Sequence, residues 1–203
     1  MAEDVALKVI ILGSSTVGKT SIFLRYFQNE FTNALTTIGI DFKNKYFKFE
    51  GTKIKISYID TAGQEKFRAI SENYLKGTDG VILVFDLTNK ESFDLVNFWL
   101  ESIAKNNKSN IDKILFGNKN DLVNDREVNY EDGKKLADKI GCNYYEGSAK
   151  TGENIELIMN EIARITYFEW KKNNLEMRTS IRLCPSDSVE KEIVKKKGCC
   201  KFK

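Results

Sequence analysis

Apolar positions along the chain follow two rhythms that take turns. Val5 to Leu12 is a mostly apolar run that stops at Gly13, as a buried strand does. Ile40 to Phe49 and Lys53 to Ile59 read as two strands joined by a turn at Glu50-Gly51. In the second, Ile54, Ile56 and Tyr58 alternate with polar residues, as a hairpin strand with one exposed face should. Gly80 to Asp86 is a continuous apolar run and predicts a central strand buried on both faces. Lys113 to Gly117 and Cys142 to Glu146 are two further strands. Elsewhere the period lengthens. Phe93, Val96, Leu100 and Ile103, and later Ile155, Ile158, Ile162 and Ile165, recur at helical spacing and predict helices with one core face. Strands alternating with helices predict an α/β fold with a mostly parallel sheet.

Composition narrows the possible chemistry. At 203 residues, with 41% hydrophobic and 30% charged, the chain makes one domain with a real core and room for a tail. Its apolar runs are too short for a transmembrane helix, and the acidic start Met1-Ala2-Glu3-Asp4 is unlike a secretory signal. Ala2 in place of Gly excludes N-myristoylation. The chain has no His, which excludes Ser–His and Cys–His nucleophiles and His-ligated metals. Cys142, Cys184, Cys199 and Cys200 form no disulfide framework and point to a reducing compartment. The net charge of +3 is too small to argue for nucleic acid, and no nucleic-acid partner is expected. The charge is unevenly placed, however. Residues 173–203 carry eight basic and four acidic side chains and the only proline, Pro185, and read as a flexible basic tail on a near-neutral body, residues 1–172.

Four segments carry chemistry. Gly13-Ser14-Ser15-Thr16-Val17-Gly18-Lys19-Thr20 matches the phosphate-binding loop, placed after a strand and before a helix. Its glycines let successive backbone N–H groups turn inward around a triphosphate. Lys19 would neutralise the β- and γ-phosphates, and the Thr20 hydroxyl would ligate Mg²⁺. Asp60-Thr61-Ala62-Gly63-Gln64 follows the third strand. There Asp60 can hold magnesium through a water, Gly63 can present its N–H to the γ-phosphate, and Gln64 can orient an attacking water. Asn118-Lys119-Asn120-Asp121 follows the fifth apolar run. Asp121 can accept from the N1–H and exocyclic amine of guanine; adenine has no such donor pair there, so the carboxylate would be left unpaired. Ser148-Ala149-Lys150, after the last short strand, would bring the Ala149 N–H to the guanine O6.

In this order the segments resemble a Ras-superfamily small GTPase, and specifically a Rab, over about residues 5–170 and the extreme C-terminus. The Rab-like stretches are Ile38-Gly39-Ile40-Asp41-Phe42, Lys66-Phe67-Arg68-Ala69-Ile70, Tyr74-Leu75-Lys76-Gly77 and Phe85-Asp86-Leu87-Thr88. The resemblance implies a P-loop NTPase small G domain: a six-stranded, mostly parallel sheet flanked by about five helices. It implies a GTP/GDP site built from Ser15, Thr16, Val17, Gly18, Lys19, Thr20, Ser21, Phe31, Thr37, Gly63, Asn118, Lys119, Asp121, Ser148, Ala149 and Lys150. Phe31 would pack against one face of the guanine and Lys119 across the other. Magnesium would be held by Thr20, Thr37 and Asp60, and Gln64 would be catalytic. Switch I would run from about Ala34 to Phe42 and switch II from Gly63 to about Lys76. The effector surface would comprise Ile38, Gly39, Ile40, Asp41, Phe42, Phe67 and Tyr74. Three positions depart from the family pattern: Ile59 stands where Rabs usually have Trp, Ala34 where an aromatic often closes over the phosphates, and Thr16 where many relatives have Gly.

Cys199-Cys200, near the terminus, resemble a double-geranylgeranylation site, and Lys195-Lys196-Lys197 add attraction to an anionic leaflet. The resemblance implies an exchange factor, a GTPase-activating protein, a GDP dissociation inhibitor, an escort protein with geranylgeranyl transferase, and membrane-bound effectors. It also implies a monomeric G domain that cycles between cytosol and the cytoplasmic face of endomembranes. Two rivals are a nucleotide kinase, which the Asn118–Asp121 motif and the lack of an acceptor-binding insertion oppose, and a nucleotide-locked scaffold, which Gln64 opposes.

Overall fold

The computed structural model describes residues 5–32, 40–61, 75–106 and 111–182. Six strands form one sheet: β1 Val5–Leu12, β2 Ile40–Phe49, β3 Thr52–Thr61, β4 Gly80–Asp86, β5 Asp112–Asn118 and β6 Asn143–Glu146. Their spatial order is β2-β3-β1-β4-β5-β6, with only β2–β3 antiparallel. Five helices are found among the described residues: α1 Lys19–Gln28, α2 Lys90–Asp94, α3 Val96–Asn106, α4 Tyr130–Ile140 and α5 Ile155–Arg182. This is the α/β small G-domain architecture the sequence predicts. None of these helices is long and apolar enough to cross a membrane.

The pleat sorts the core into two layers. Ile10, Leu12, Leu83, Phe85 and Leu115 point into a cluster with Val96, Trp99 and Ile103 of α3 and Ala137 of α4. On the opposite face the Tyr58 hydroxyl donates to the Met159 carbonyl of α5 at 2.7 Å, and the Tyr58 ring meets Tyr26 and Phe27 of α1. β4 is buried at every position, as its unbroken apolar run requires.

Local differences have local causes. The apolar stripe from Phe93 to Ile103 is divided between two helices. Asn89 caps α2 through its side chain on the Ser92 N–H, α2 ends at Asp94, and the spiral restarts at Val96. Cys142 lies outside β6: its N–H donates to the Ala137 carbonyl, closing the turn after α4 at left-handed Gly141. Its thiol is half-buried against the core, and burial pushes its pKa up to about 11.

α5 continues through Arg182, ten residues into the stretch expected to be a flexible linker. The extension has a physical reason. Extending an existing helix costs far less than starting one, and residues 173–182 include Leu, Glu, Met and Arg, with neither Gly nor Pro. The chain divides into a compact body ending at Glu169 and a second unit beginning at Trp170.

Candidate nucleotide site

The carboxyl ends of β1, β3, β4 and β5 deliver the site residues, where open parallel sheets place their ligand crevices. The loop after β1 cannot tolerate side chains at two of its glycines. A Cβ on Gly13 would lie 2.1 Å from the Val84 carbonyl oxygen, and one on Gly18 2.3 Å from Asn118 Nδ2. Gly18 also has φ 97, in the left-handed region. Thr16 adopts φ 62, a conformation where glycine would be unstrained.

Lys19 is only 4% exposed. Its Nζ donates to the carbonyls of Gly13 (2.9 Å) and Ser14 (2.7 Å), curling the loop over its own ammonium. Burial lowers its pKa to about 8, against the opposing pull of Asp60. Thr20 Oγ1 donates to Asp60 Oδ2 at 2.7 Å. Asp60 is fully buried, and among the described residues neither its Oδ1 nor the buried Ser14 hydroxyl has a hydrogen-bond partner. Burial raises the Asp60 pKa to about 6, against the Thr20 hydrogen bond and the Lys19 charge. A buried carboxylate with one orphaned oxygen beside a threonine hydroxyl fits a hard divalent cation. Ser21 is buried, and its hydroxyl donates to the Thr32 carbonyl at 3.2 Å, holding the chain just after Phe31, which is 36% exposed.

At the other end, Asn118 and Ser148 organise two loops. Asn118 Nδ2 donates to the Val17 carbonyl (2.7 Å), and its Oδ1 accepts from the Ala149 N–H (3.0 Å). Asn118 therefore joins the phosphate loop to the 148–150 loop. The Ala149 N–H, expected to meet a guanine O6, is engaged by Asn118 in this structure. The Ser148 hydroxyl donates to Asp121 Oδ1 at 2.5 Å and accepts from the N–H groups of Lys150 and Thr151. Lys150 Nζ stands 3.6 Å from Asp121 Oδ2. Lys119, at φ 69, pairs its Nζ with Asp86 Oδ2 at 2.5 Å, and Asp86 Oδ1 accepts from the N–H and hydroxyl of Thr88.

Several supporting residues belong to no motif. Arg126 donates to Asn120 Oδ1 (3.2 Å), to the Val128 carbonyl and to Glu146, which also accepts from the Tyr144 hydroxyl at 2.6 Å. Arg25 reaches from α1 to the carbonyls of Ala149 and Lys150. Short-range patterns contain no signal for these Arg25 bonds or the Arg126–Glu146 pair, which join residues 20 to 125 positions apart.

The structure thus gathers Ser15 to Ser21, Asp60, Asn118, Lys119, Asp121 and Ser148 to Lys150 at one end of the sheet. Of the expected effector surface, Asp41 and Phe42 lie exposed on β2, Phe42 at 66%. Ile59, opposite Phe42 in the hairpin, belongs to the core. Ala34, Thr37, Ile38, Gly39, Gly63, Gln64, Phe67, Tyr74, Cys199 and Cys200 lie outside the described residues, as does the Ile40 side chain.

A mostly parallel sheet that delivers a glycine-turned loop and a buried Asp–Thr pair to one end has the arrangement of a P-loop nucleotide-binding domain. The Ras family model matches residues 8–167. The chain is 40% identical over 174 residues to the GTP-binding protein ypt2 of Schizosaccharomyces pombe, covering 85% of each chain. It is 44% identical over 163 residues to the Ras-related protein Rab-1 of Theileria annulata, covering 79% of this chain and 74% of that one. It is 38% identical over 200 residues to the Ras-related protein Rab-26 of Homo sapiens, covering 98% and 76%. The chain belongs to the Ras family, as a Rab-type small GTPase.

Proposed function

We propose that the crevice between the 13–20 loop and the 118–121 and 148–150 segments holds GTP or GDP with Mg²⁺, with residue roles as follows. As a Rab-type small GTPase the chain binds GTP, hydrolyses it to GDP and phosphate, and acts as a switch in vesicle traffic, with regulators and effectors. The observation that carries the site reading is the buried Asp60, with Thr20 on one oxygen and, among the described residues, no hydrogen-bond partner on the other.

On binding, Lys19 exchanges the Gly13 and Ser14 carbonyls for β- and γ-phosphate oxygens, and the N–H groups of Ser15 to Thr20 surround the phosphates. Thr20, Asp60 and Thr37 hold the cation, which when bound neutralises phosphate charge. Asp121 accepts from the guanine edge while Ser148 and Lys150 fix its carboxylate. Phe31 and Lys119 flank the base. The Ala149 N–H reaches the guanine O6 by sharing or exchanging its bond to Asn118. Gln64 orients the attacking water, and Thr37 and the Gly63 N–H read the γ-phosphate. Loss of that phosphate releases both switch segments and the effector surface of Ile38 to Phe42, Phe67 and Tyr74. Cys199 and Cys200 carry two geranylgeranyl groups, added through an escort protein and transferase. An exchange factor, an activating protein and a GDP dissociation inhibitor drive the cycle between cytosol and the cytoplasmic face of endomembranes.

Denaturing freshly purified protein and identifying the released nucleotide tests this. Stoichiometric GDP is expected. Retained GTP would favour the locked scaffold, and ADP, or no nucleotide despite Mg²⁺ throughout, would overturn the role of Asp121. Replacing Gln64 by Leu is expected to slow single-turnover phosphate release by about tenfold or more at unchanged nucleotide affinity. Unchanged turnover would remove Gln64 from catalysis.

A further inference from the structure

One side chain outside every motif links the two ends of the crevice. Arg25 lies in the last turn of α1, the helix whose first residues are Lys19 and Thr20. Its Nη1 donates to the Asn29 carbonyl (3.0 Å) and to Asn29 Oδ1 (3.1 Å), at the end of its own helix. Its Nε and Nη2 leave the helix and donate to two successive carbonyls, Ala149 (2.9 Å) and Lys150 (2.8 Å).

A cation at a helix C-terminus needs no function beyond favourable capping. That role accounts for the two bonds to Asn29 and for neither of the others. The two remaining bonds hold the backbone of the loop that supplies Ser148 to Asp121 and the Ala149 N–H to Asn118. A guanidinium suits this task. Its rigid fork of N–H groups can serve neighbouring carbonyls at once, which a single ammonium does with poorer geometry.

We propose that Arg25 is a positioning residue for guanine recognition. It pins the carbonyl side of the 148–150 loop to α1, so that the opposite side keeps Asp121 aimed at the base. The proposal rests on the nucleotide reading above. It adds that base selectivity depends on a residue expected to touch no part of the nucleotide.

The test uses the full-length protein, its Arg25→Ala and Arg25→Lys variants, and ribose-labelled fluorescent GDP and IDP, the hypoxanthine analogue without the exocyclic amine. Dissociation is followed in Mg²⁺ with excess unlabelled nucleotide. Arg25→Ala is expected to release GDP about tenfold faster. Arg25→Lys should recover part of the loss. The preference for GDP over IDP should shrink in Arg25→Ala, because the carboxylate that reads the amine is less firmly held. GDP release within twofold of wild type would overturn the proposal. So would equal acceleration of GDP and IDP, which marks general loosening. If Arg25→Ala does not fold, Arg25→Gln, with a planar amide of two donors, carries the same comparison. A wild-type protein that binds neither nucleotide would instead overturn the reading of the crevice.

Discussion

The two ends of the crevice differ in how far they satisfy themselves. At the base end, Asn118, Asp121, Ser148, Ala149 and Lys119 all have partners inside the protein, at 2.5 to 3.0 Å. At the phosphate end, Lys19 is lodged on its own loop's carbonyls, while Asp60 Oδ1 and the Ser14 hydroxyl are buried with no hydrogen-bond partner among the described residues. Buried polar groups without partners each cost about 1–3 kcal/mol. Under the proposed reading the phosphate end would therefore gain most from ligand and cation, and the base end would present its carboxylate already oriented. On that reading, recognition of the base would be preorganised, whereas phosphate binding would relieve stored cost.

Thr20→Asn should separate the two ends most sharply. It removes the hydroxyl beside Asp60, and GTP affinity in Mg²⁺ is expected to fall by about a hundredfold or more, as seen by equilibrium titration. GTP affinity equal to wild type would remove Thr20 from the cation site and erase the contrast.

Ser148→Ala attacks the other end. Asp121 loses a 2.5 Å donor, and the N–H groups of Lys150 and Thr151 lose their acceptor. GDP release is expected to quicken about tenfold, with its dependence on Mg²⁺ concentration unaltered. A changed Mg²⁺ dependence would show that the ends are not separable.

Asp112→Asn lies in neither region and calibrates both with a smaller, pH-dependent effect on stability. Burial, reinforced by Glu169 and Asp79 against Lys113, raises the Asp112 pKa to about 6. A folded carboxylate with a raised pKa holds its proton more tightly than the unfolded chain does. Its ionisation therefore removes stability as pH rises from about 4 to 6, and the full penalty stands above 6. The Asn variant should melt higher than wild type at pH 7.5, with the difference disappearing near pH 4. A difference independent of pH would assign the effect to packing instead.

Much of the frame was legible because its signals are local. Residues 5–12, 40–49 and 80–86 declared themselves as strands by period and by the turns that bound them. The phosphate loop declared itself by glycines that a Cβ would drive into Val84 and Asn118. The break at Leu95 was not legible, because an apolar stripe reports only which face is buried and runs unaltered across the gap between two helices. The extension of α5 was hidden by composition: a polar, basic stretch resembles a linker until a helix is already there to propagate. The Arg25 bonds to Ala149 and Lys150 and the Arg126–Glu146 pair were silent because their two ends come from different parts of the chain.

The sequence by itself determined the α/β alternation and the glycine turns, and it named the candidate residues for phosphate, cation and base chemistry. Backbone dihedral preferences and side-chain periodicity act over a few residues, so they can be read without the fold. Only the tertiary structure decided that Lys119 is held by Asp86, that Asn118 joins two loops, and that one arginine ties the base loop to the phosphate helix. Those pairings depend on sheet order and on which element ends meet, and the packing of distant segments sets both.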